Sequence, residues 1–436
     1  MLKIFSIGGY GEVGKNCTGV LVDDEMVLLD MGINVENYIK VTNDEEIENI
    51  PIKKLIDAEA VPDIDILGDF KKKVKAIIIS HAHLDHVGGV PYLANRFDCP
   101  IHATPYTIEV LKEILADHEK IIKNDMITHS VDSLFSVTKN IKIQFINSTH
   151  STPETVVIVV HTKYGDVVYV NDFKLDHFPI LGKPPNIKSL KKLKTKVLII
   201  ESLYAAKPIK TPSERVAREM LRDVFTGVNI KGKAIVITTF SSHLARLKTI
   251  IEFGKQINRK IVFMGRSLTK YVIAAEKLSI IDFSKNVTML KYGSDVKRFL
   301  KKMKNPEKFL FVVTGHQGEP KAILSRMTKK LFPFKNEDIV VFSSTIIPTE
   351  TNYLNRANLE NELKKKKVRI FSDIHVSGHG AREDLRDLIN MIKPGVIIPS
   401  HGTIKMQEAL RELAIEMNFR PEQIQVVKNG EIIEIK

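Results

Sequence analysis

Four residues of metal-ligand type fall within six positions at His81-Ala82-His83-Leu84-Asp85-His86. Imidazole and carboxylate without thiolate suit zinc or another borderline divalent ion. The string directly follows Lys75–Ser80, a compact apolar run that reads as a strand. A turn leaving that strand points His81 and His83 to one side, and Asp85 and His86 reach a second point nearby. That layout suits two ions about 3.5–4 Å apart. Imidazoles packed this densely repel one another when protonated, so the cluster needs a cation to justify it. The two cysteines, Cys17 and Cys99, are too few for a disulfide framework or a thiolate zinc site, and both read as reduced core residues.

Hydrophobic patterning supplies the elements that must hold these residues. Thr18–Val22 and Val27–Met31 flank an Asp23-Asp24 turn and predict a hairpin. Gly88-Gly89 is read as opening a helix through Arg96. Glu154–Thr162 and Asp166–Asn171, on either side of Lys163-Tyr164-Gly165, predict a second hairpin, and Lys196–Glu201 another buried strand. Sheets of mixed pairing covered by helices are expected. After about residue 205 the texture changes. Pro212–Val228 predicts an amphipathic helix with Ser213 as its cap. Lys233–Phe240, Lys260–Gly265, Lys308–Thr314 and Asp338–Ser344 read as buried strands, separated by helices such as Leu244–Gln256 and Leu268–Leu278. Such alternation predicts a parallel α/β sheet. The chain then gives the strand Val368–Ser372, a helix near Arg382–Ile392, the strand Val396–Ser400, and an Asn429-Gly430 turn read as a closing hairpin.

The 436 residues, 43% hydrophobic and 27% charged, describe a folded chain with a large core. No apolar run is long enough for a membrane span, the N-terminus lacks a secretory pattern, and a cytoplasmic location is expected. The 65 Lys and Arg against 52 Asp and Glu give a net charge of +13. That surplus suits an acidic polymer such as nucleic acid, and lysine enrichment is also a thermophile trait. Lys71–Lys73 and Lys364–Lys367 are read as solvated faces, and His102, His118, His129, His161 and His177 as ordinary histidines. The glycines Gly8, Gly9, Gly11 and Gly14 lack the helix-opening context of a dinucleotide loop.

The HxHxDH string is the defining motif of the metallo-β-lactamase superfamily, which this sequence resembles. Further motifs of that superfamily match Asp30 in LLDMGI, His150 in NSTHS and Asp172 in VNDFKLD. The next ligand candidate after Asp172, His401 in IIPSHGT, lies about half the chain away, so a large insertion separates them. That plan resembles the β-CASP branch, whose remaining motifs match Glu201 in VLIIES and His379 in HVSGHG. Within the branch, GGYGEVGKN, FMGRSL, TGHQGEP and HVSGHG followed by PSHGT resemble ribonuclease J. Bacterial relatives carry an extra C-terminal domain, whereas only a short segment follows His401 here, as in the compact archaeal form.

The resemblance implies an αββα sandwich in two parts, residues 1–205 and 371–436, around an inserted β-CASP α/β domain of mostly parallel sheet at 206–370. It implies two Zn2+ per chain, with Mn2+ or Mg2+ as alternatives. His81, His83 and His150 would hold one ion, Asp85, His86 and His401 the other, with Asp172 bridging and Asp30 orienting the first loop. The implied catalytic residues are His379, Glu201, Asp85 and Asp172, with His379 as the proton donor and Glu201 as its orienting partner. A 5′-phosphate pocket is expected at His375, Ser377 and Gly378. His316 is not expected to be a ligand, and a place near the substrate is considered for it. The implied activity is a zinc-dependent ribonuclease acting 5′-to-3′ on 5′-monophosphorylated RNA, with or without endonuclease activity, in RNA processing and decay. RNA is the expected partner, no membrane is, and a homodimer and larger RNA-decay assemblies are compatible. The rivals are an endoribonuclease of the RNA 3′-end-processing type, a non-nuclease lactamase-fold hydrolase and a silent RNA-binding subunit.

Overall fold

A computed structural model describes residues 1–42 and 50–435. The chain divides into two compact units, one of Met1–His177, Gly182–Thr211 and Gly378–Lys436, the other of Phe178–Leu181 and Pro212–Ser377.

The first unit is built on two sheets. One has the strand order Ile432–Ile435, Leu2–Gly8, Cys17–Val22, Glu25–Leu29, Val74–Ile78, Ile101–Ala103, Met126–Thr128. The other runs Val396–Ser400, Thr195–Glu201, Gly165–Val170, Val156–Thr162, Lys142–Asn147, Leu134–Ser136. Both mix parallel and antiparallel pairs. The strand Val156–Thr162 shows why such runs carry no polar alternation. Val156, Ile158 and Val160 pack with Leu2, Ile4, Ile143 and Phe145 between the sheets. Val157 and Val159 point the other way, into a second core with Leu198, Leu385 and Leu410. Period-two alternation thus sends successive side chains into two different apolar cores. The helices Arg382–Ile392 and Ile404–Glu416 supply the outer layer on that face.

The two expected hairpins form. Cys17–Val22 pairs with Glu25–Leu29, and Val156–Thr162 with Gly165–Val170, where Gly165 takes φ +110° in the turn. Both cysteines are buried and unpaired.

Two elements differ from expectation. The helix read from Gly88-Gly89 begins earlier, as Leu84–Val87, breaks at the glycines and resumes as Val90–Leu93. Gly89 N–H donates to the Met31 carbonyl at 2.9 Å instead of continuing the helix, and a Cβ there would stand 2.8 Å from the Gly32 oxygen. The glycines let two backbones touch. The Asn429-Gly430 turn makes no closing hairpin. The strand after it, Ile432–Ile435, pairs antiparallel with Leu2–Gly8 at the sheet edge, because that first strand has a free side for its backbone groups.

The second unit has one six-stranded sheet, ordered Val287–Leu290, Lys260–Met264, Phe309–Val313, Ile235–Thr238, Ile339–Phe342, Arg369–Phe371, with every pair parallel. Val236, Phe311, Val313, Val340 and Phe342 pack with Leu359 and Leu363 of the helix Glu350–Lys365. The helix Glu214–Gly227 starts at Ser213, whose hydroxyl accepts from Arg215 N–H. Among the described residues no helix is long and apolar enough to cross a membrane.

Candidate metal centre

The sequence motifs leave from strand ends. His81 and His83 follow Val74–Ile78, and His83 caps the short helix Leu84–Val87, which puts Asp85 and His86 on its first turn. His150 follows Lys142–Asn147, Asp172 follows Gly165–Val170, Glu201 ends Thr195–Glu201, and His401 follows Val396–Ser400. Asp30 and His401 take φ +61° and +46°, a left-handed backbone that costs non-glycine residues about 1–3 kcal/mol. Neighbouring bonds hold both. Asp30 accepts from Ser80 N–H at 2.7 Å and Ser80 Oγ at 2.8 Å, and His401 N–H donates to the Gly9 carbonyl at 2.7 Å.

Asp172 is the hub. Its Oδ2 lies 3.3 Å from His81 Nε2, 3.3 Å from His150 Nε2 and 3.8 Å from His83 Nδ1. Its Oδ1 lies 3.1 Å from His86 Nε2 and 3.7 Å from His401 Nε2. Asp85 Oδ2 is 3.6 Å from His86 Nε2 and 3.8 Å from His401 Nε2. One carboxylate therefore presents one oxygen to each of two donor groups, His81, His83 and His150 on one side and Asp85, His86 and His401 on the other.

Partners on the far side of the rings fix which nitrogens face inward. His150 Nδ1–H donates to the Gly378 carbonyl at 2.7 Å, and His86 Nδ1–H to Asp30 Oδ2 at 2.7 Å. Ser80 Oγ spends its proton on Asp30, so at 3.0 Å it accepts from His81 Nδ1–H. Each of these rings turns Nε2 toward a carboxylate that only accepts. Asp172 Oδ1 is buried with no hydrogen-bond partner. Nitrogen donor atoms converging on a buried anion call for cations, and the residues fit a metal cofactor.

Electrostatics agree. Burial lowers His81 to about 4, and the His86 charge adds to this. Burial also holds His150 well below the ordinary imidazole value. Burial opposes charge on His86 too, but Asp172, Asp85 and Asp30 outweigh it and raise that ring well above its usual value. Burial disfavours an ionised Asp172, yet the imidazoles of His86, His379 and His401 hold it well below the carboxylate range. The site draws positive charge between these groups, where a metal ion can replace protons.

His379 stands beside the cluster. Its Nδ1–H donates to Glu201 Oε2 at 2.7 Å, and its Nε2 is 3.9 Å from Asp172 Oδ2. Glu201 is buried, and its Oε1 accepts from Phe173 N–H at 3.0 Å. Burial disfavours the charged ring, but Glu201 and Asp172 outweigh it and lift His379 to about 9. His375 and Ser377 belong to the second unit and Gly378 to the first. His316, also in the second unit, packs its ring 4.4 Å from Phe240. His102 and His129 pair with each other at 2.9 Å, and His161 pairs with Asp166 at 2.7 Å.

Comparisons with known proteins follow the same lines. The metallo-beta-lactamase superfamily profile matches residues 11–225, that of the Zn-dependent metallo-hydrolase RNA specificity domain 365–426, and that of the ribonuclease J beta-CASP domain 232–360. A protein of Methanocaldococcus jannaschii named ribonuclease J is 39% identical over 99% of this chain and 98% of its own length. The chain belongs to the ribonuclease J family. A second ribonuclease J, from Pyrococcus abyssi, is 40% identical over 100% of this chain and 97% of its own. Ribonuclease J 1 of Streptococcus pyogenes is 30% identical over 99% of this chain but only 74% of its own length. A crystal structure of a protein of unknown function from Enterococcus faecalis shares the fold, with a TM-score of 0.64 at 15% identity over 99% of both chains. The fold is thus a metallo-β-lactamase domain with an inserted β-CASP domain.

Sequence reasoning missed the groups that hold the ligand rings from behind. Ser80 and Ser151 contact His81 and His83, the latter at 3.1 Å, and Tyr169 donates to Asp30 at 3.0 Å. Asn16, inside the GGYGEVGKN string, touches both His86 and His401. The string itself was the available signal for Asn16. Ser151 likewise ends the NSTHS string, whereas nothing local marks Tyr169.

Proposed function

We propose that this protein hydrolyses RNA phosphodiester bonds with two divalent ions, zinc foremost, and degrades RNA 5′-to-3′ from 5′-monophosphate ends. The observation that carries the reading is the Asp172 carboxylate, one oxygen toward each donor group, with the His379–Glu201 pair alongside. His81, His83 and His150 would hold one ion, and Asp85, His86 and His401 the other, with Asp172 shared. When bound, such a pair lowers the pKa of water to about 7 and offsets charge developing on phosphoryl oxygens.

The chain's own residues do the rest. Asp30 holds His86, and Tyr169 in turn holds Asp30, so the ligand rings need little reorganisation. Glu201 accepts Nδ1–H of His379 and so leaves the proton on Nε2 to be given up. Because Glu201 and Asp172 favour the imidazolium, His379 carries that proton at neutral pH. The proton passes from Nε2 to the departing 3′-oxygen of RNA. His375, Ser377 and Gly378, just before His379 in sequence, are our candidates for the 5′-phosphate, through backbone N–H groups and the serine hydroxyl. RNA as substrate is supported by the match to an RNA specificity domain at 365–426, which spans His379 and His401, and by the +13 charge.

The test is 5′-monophosphorylated, end-labelled RNA incubated with enzyme and zinc or manganese, with products sized over time. Mononucleotides released first support the exonuclease. Internal fragments alone favour the 3′-end-processing type, and no cleavage by metal-loaded protein favours a non-nuclease hydrolase.

A further inference from the structure

Asn16 closes the glycine-rich string and is 1% exposed. Its side chain reaches three parts of the second donor group at once. Nδ2 lies 3.1 Å from the Asp85 carbonyl, 3.1 Å from His86 Nε2 and 2.9 Å from His401 Nδ1, and Oδ1 lies 3.1 Å from His401 Nδ1. Its backbone is pinned to the same loop: Asn16 N–H donates to the Asp85 carbonyl at 2.9 Å, and its carbonyl accepts from Gly32 N–H at 3.0 Å. The glycines of the string make room for this. A Cβ on Gly9, at φ +86°, would stand 2.4 Å from Asn16 Oδ1. The carbonyl of that same Gly9 holds the left-handed backbone of His401. The string and the strained histidine are one construction around a carboxamide.

A backbone carbonyl only accepts, so the amide nitrogen of Asn16 must face Asp85 O, and this fixes which way the amide points. His401 Nδ1 then has an acceptor, Oδ1, and two donors, Asn16 Nδ2 and Gly14 N–H at 3.3 Å, within reach. A neutral imidazole that offers Nε2 to a cation carries its proton on Nδ1, and that proton needs an acceptor. When Nε2 carries the proton instead, toward Asp172 and Asp85, Nδ1 needs a donor. A carboxamide serves both tautomers, and a carboxylate serves one.

We propose that Asn16 is a positioning residue that accepts Nδ1–H of His401 when Nε2 holds a divalent ion and donates to Nδ1 when it does not. The second donor group thereby keeps its geometry through metal loading. The inference rests on the two-ion reading above.

The test is nitrogen-15 NMR of histidine-labelled full-length protein, with the His401 signal assigned by comparison with His401→Gln. In chelated protein His401 should carry its proton on Nε2, and in zinc-loaded protein on Nδ1. In chelator competition, Asn16→Leu should weaken one of two zinc sites by about 10–100-fold and leave the other unchanged, while Asn16→Asp, whose carboxylate would face the Asp85 carbonyl, should not reproduce the wild-type affinity. Zinc-loaded wild type with no proton on Nδ1, or Asn16→Leu with both affinities intact, overturns the inference. The wild-type spectra decide even where the leucine variant fails to fold. Wild type that binds no zinc overturns the two-ion reading and this inference together, whereas bound zinc with an unchanged Nδ1 overturns only the inference.

Discussion

Replacing His379 by alanine should stop turnover without emptying the metal sites. A positioned general acid contributes about 10²–10⁴-fold, which at about 1.4 kcal/mol per decade is roughly 3–5.5 kcal/mol of barrier. The structure indicates that the loss is confined to chemistry. His379 belongs to neither donor group around Asp172; it is grouped instead with Asp172 and Glu201, and its Nδ1 is held by Glu201 at 2.7 Å. Its removal leaves Glu201 buried with Phe173 N–H as an accepted bond. Burial pushes Glu201 up to about 7 even against the nearby imidazole, so without His379 the carboxyl takes up a proton at neutral pH. No unpaired buried charge remains, and the fold loses one charge-assisted hydrogen bond, about 1.5–3 kcal/mol. The assay pairs single-turnover cleavage of 5′-labelled RNA with metal content of the same preparation. A variant that cleaves at the wild-type rate with full metal content removes His379 from catalysis. A variant that loses an ion makes His379 a ligand, as its grouping with Asp172 and Glu201 permits, and refutes the division of labour.

Asp172→Ala should lose both ions and activity, read by elemental analysis, since one oxygen faces each donor group; one retained ion would deny it the shared role. In the second unit, Arg246 donates from Nε to Glu214 at 2.6 Å and from Nη1 to the Ser343 and Ile374 carbonyls. Glu214→Gln leaves that guanidinium uncompensated and should cost about 3–5 kcal/mol in denaturant unfolding, with a change under 1 kcal/mol counting against it. Burial raises the Glu214 carboxyl, but His243 and Arg246 outweigh it and hold it well below its usual value. The pair's stabilisation is therefore complete above about pH 4.3 and fades as pH falls toward the folded-state value, and Glu214→Gln should flatten that acid-side loss. RNA binding should weaken steeply with salt, by a log–log slope of about −0.7 per phosphate neutralised, and a flat response would deny the +13 charge a binding role.

The metal motifs were readable because their chemistry is dense and local. His81 to His86 declare themselves by type and spacing, and apolar runs such as VKAII and VVIVV are long enough to mark strands. That Asp172 would present separate oxygens to two groups was not readable, because it depends on sheet order across distant segments. The Gly88-Gly89 break followed from contact with Met31, which no local pattern reveals. The Asn429-Gly430 turn does not name the partner of the strand that follows it, because turn chemistry fixes the turn and not the pairing. Asn16 sat in plain view among glycines, and only its approach to His401 gives those glycines a purpose.

In the proposed site two cations share Asp172. Anomalous diffraction at the zinc edge, on crystals of active zinc-loaded protein, tests it directly. Two peaks per chain are expected, one among His81, His83 and His150, the other among Asp85, His86 and His401, with Asp172 beside both. A single peak, or peaks remote from Asp172, would contradict it.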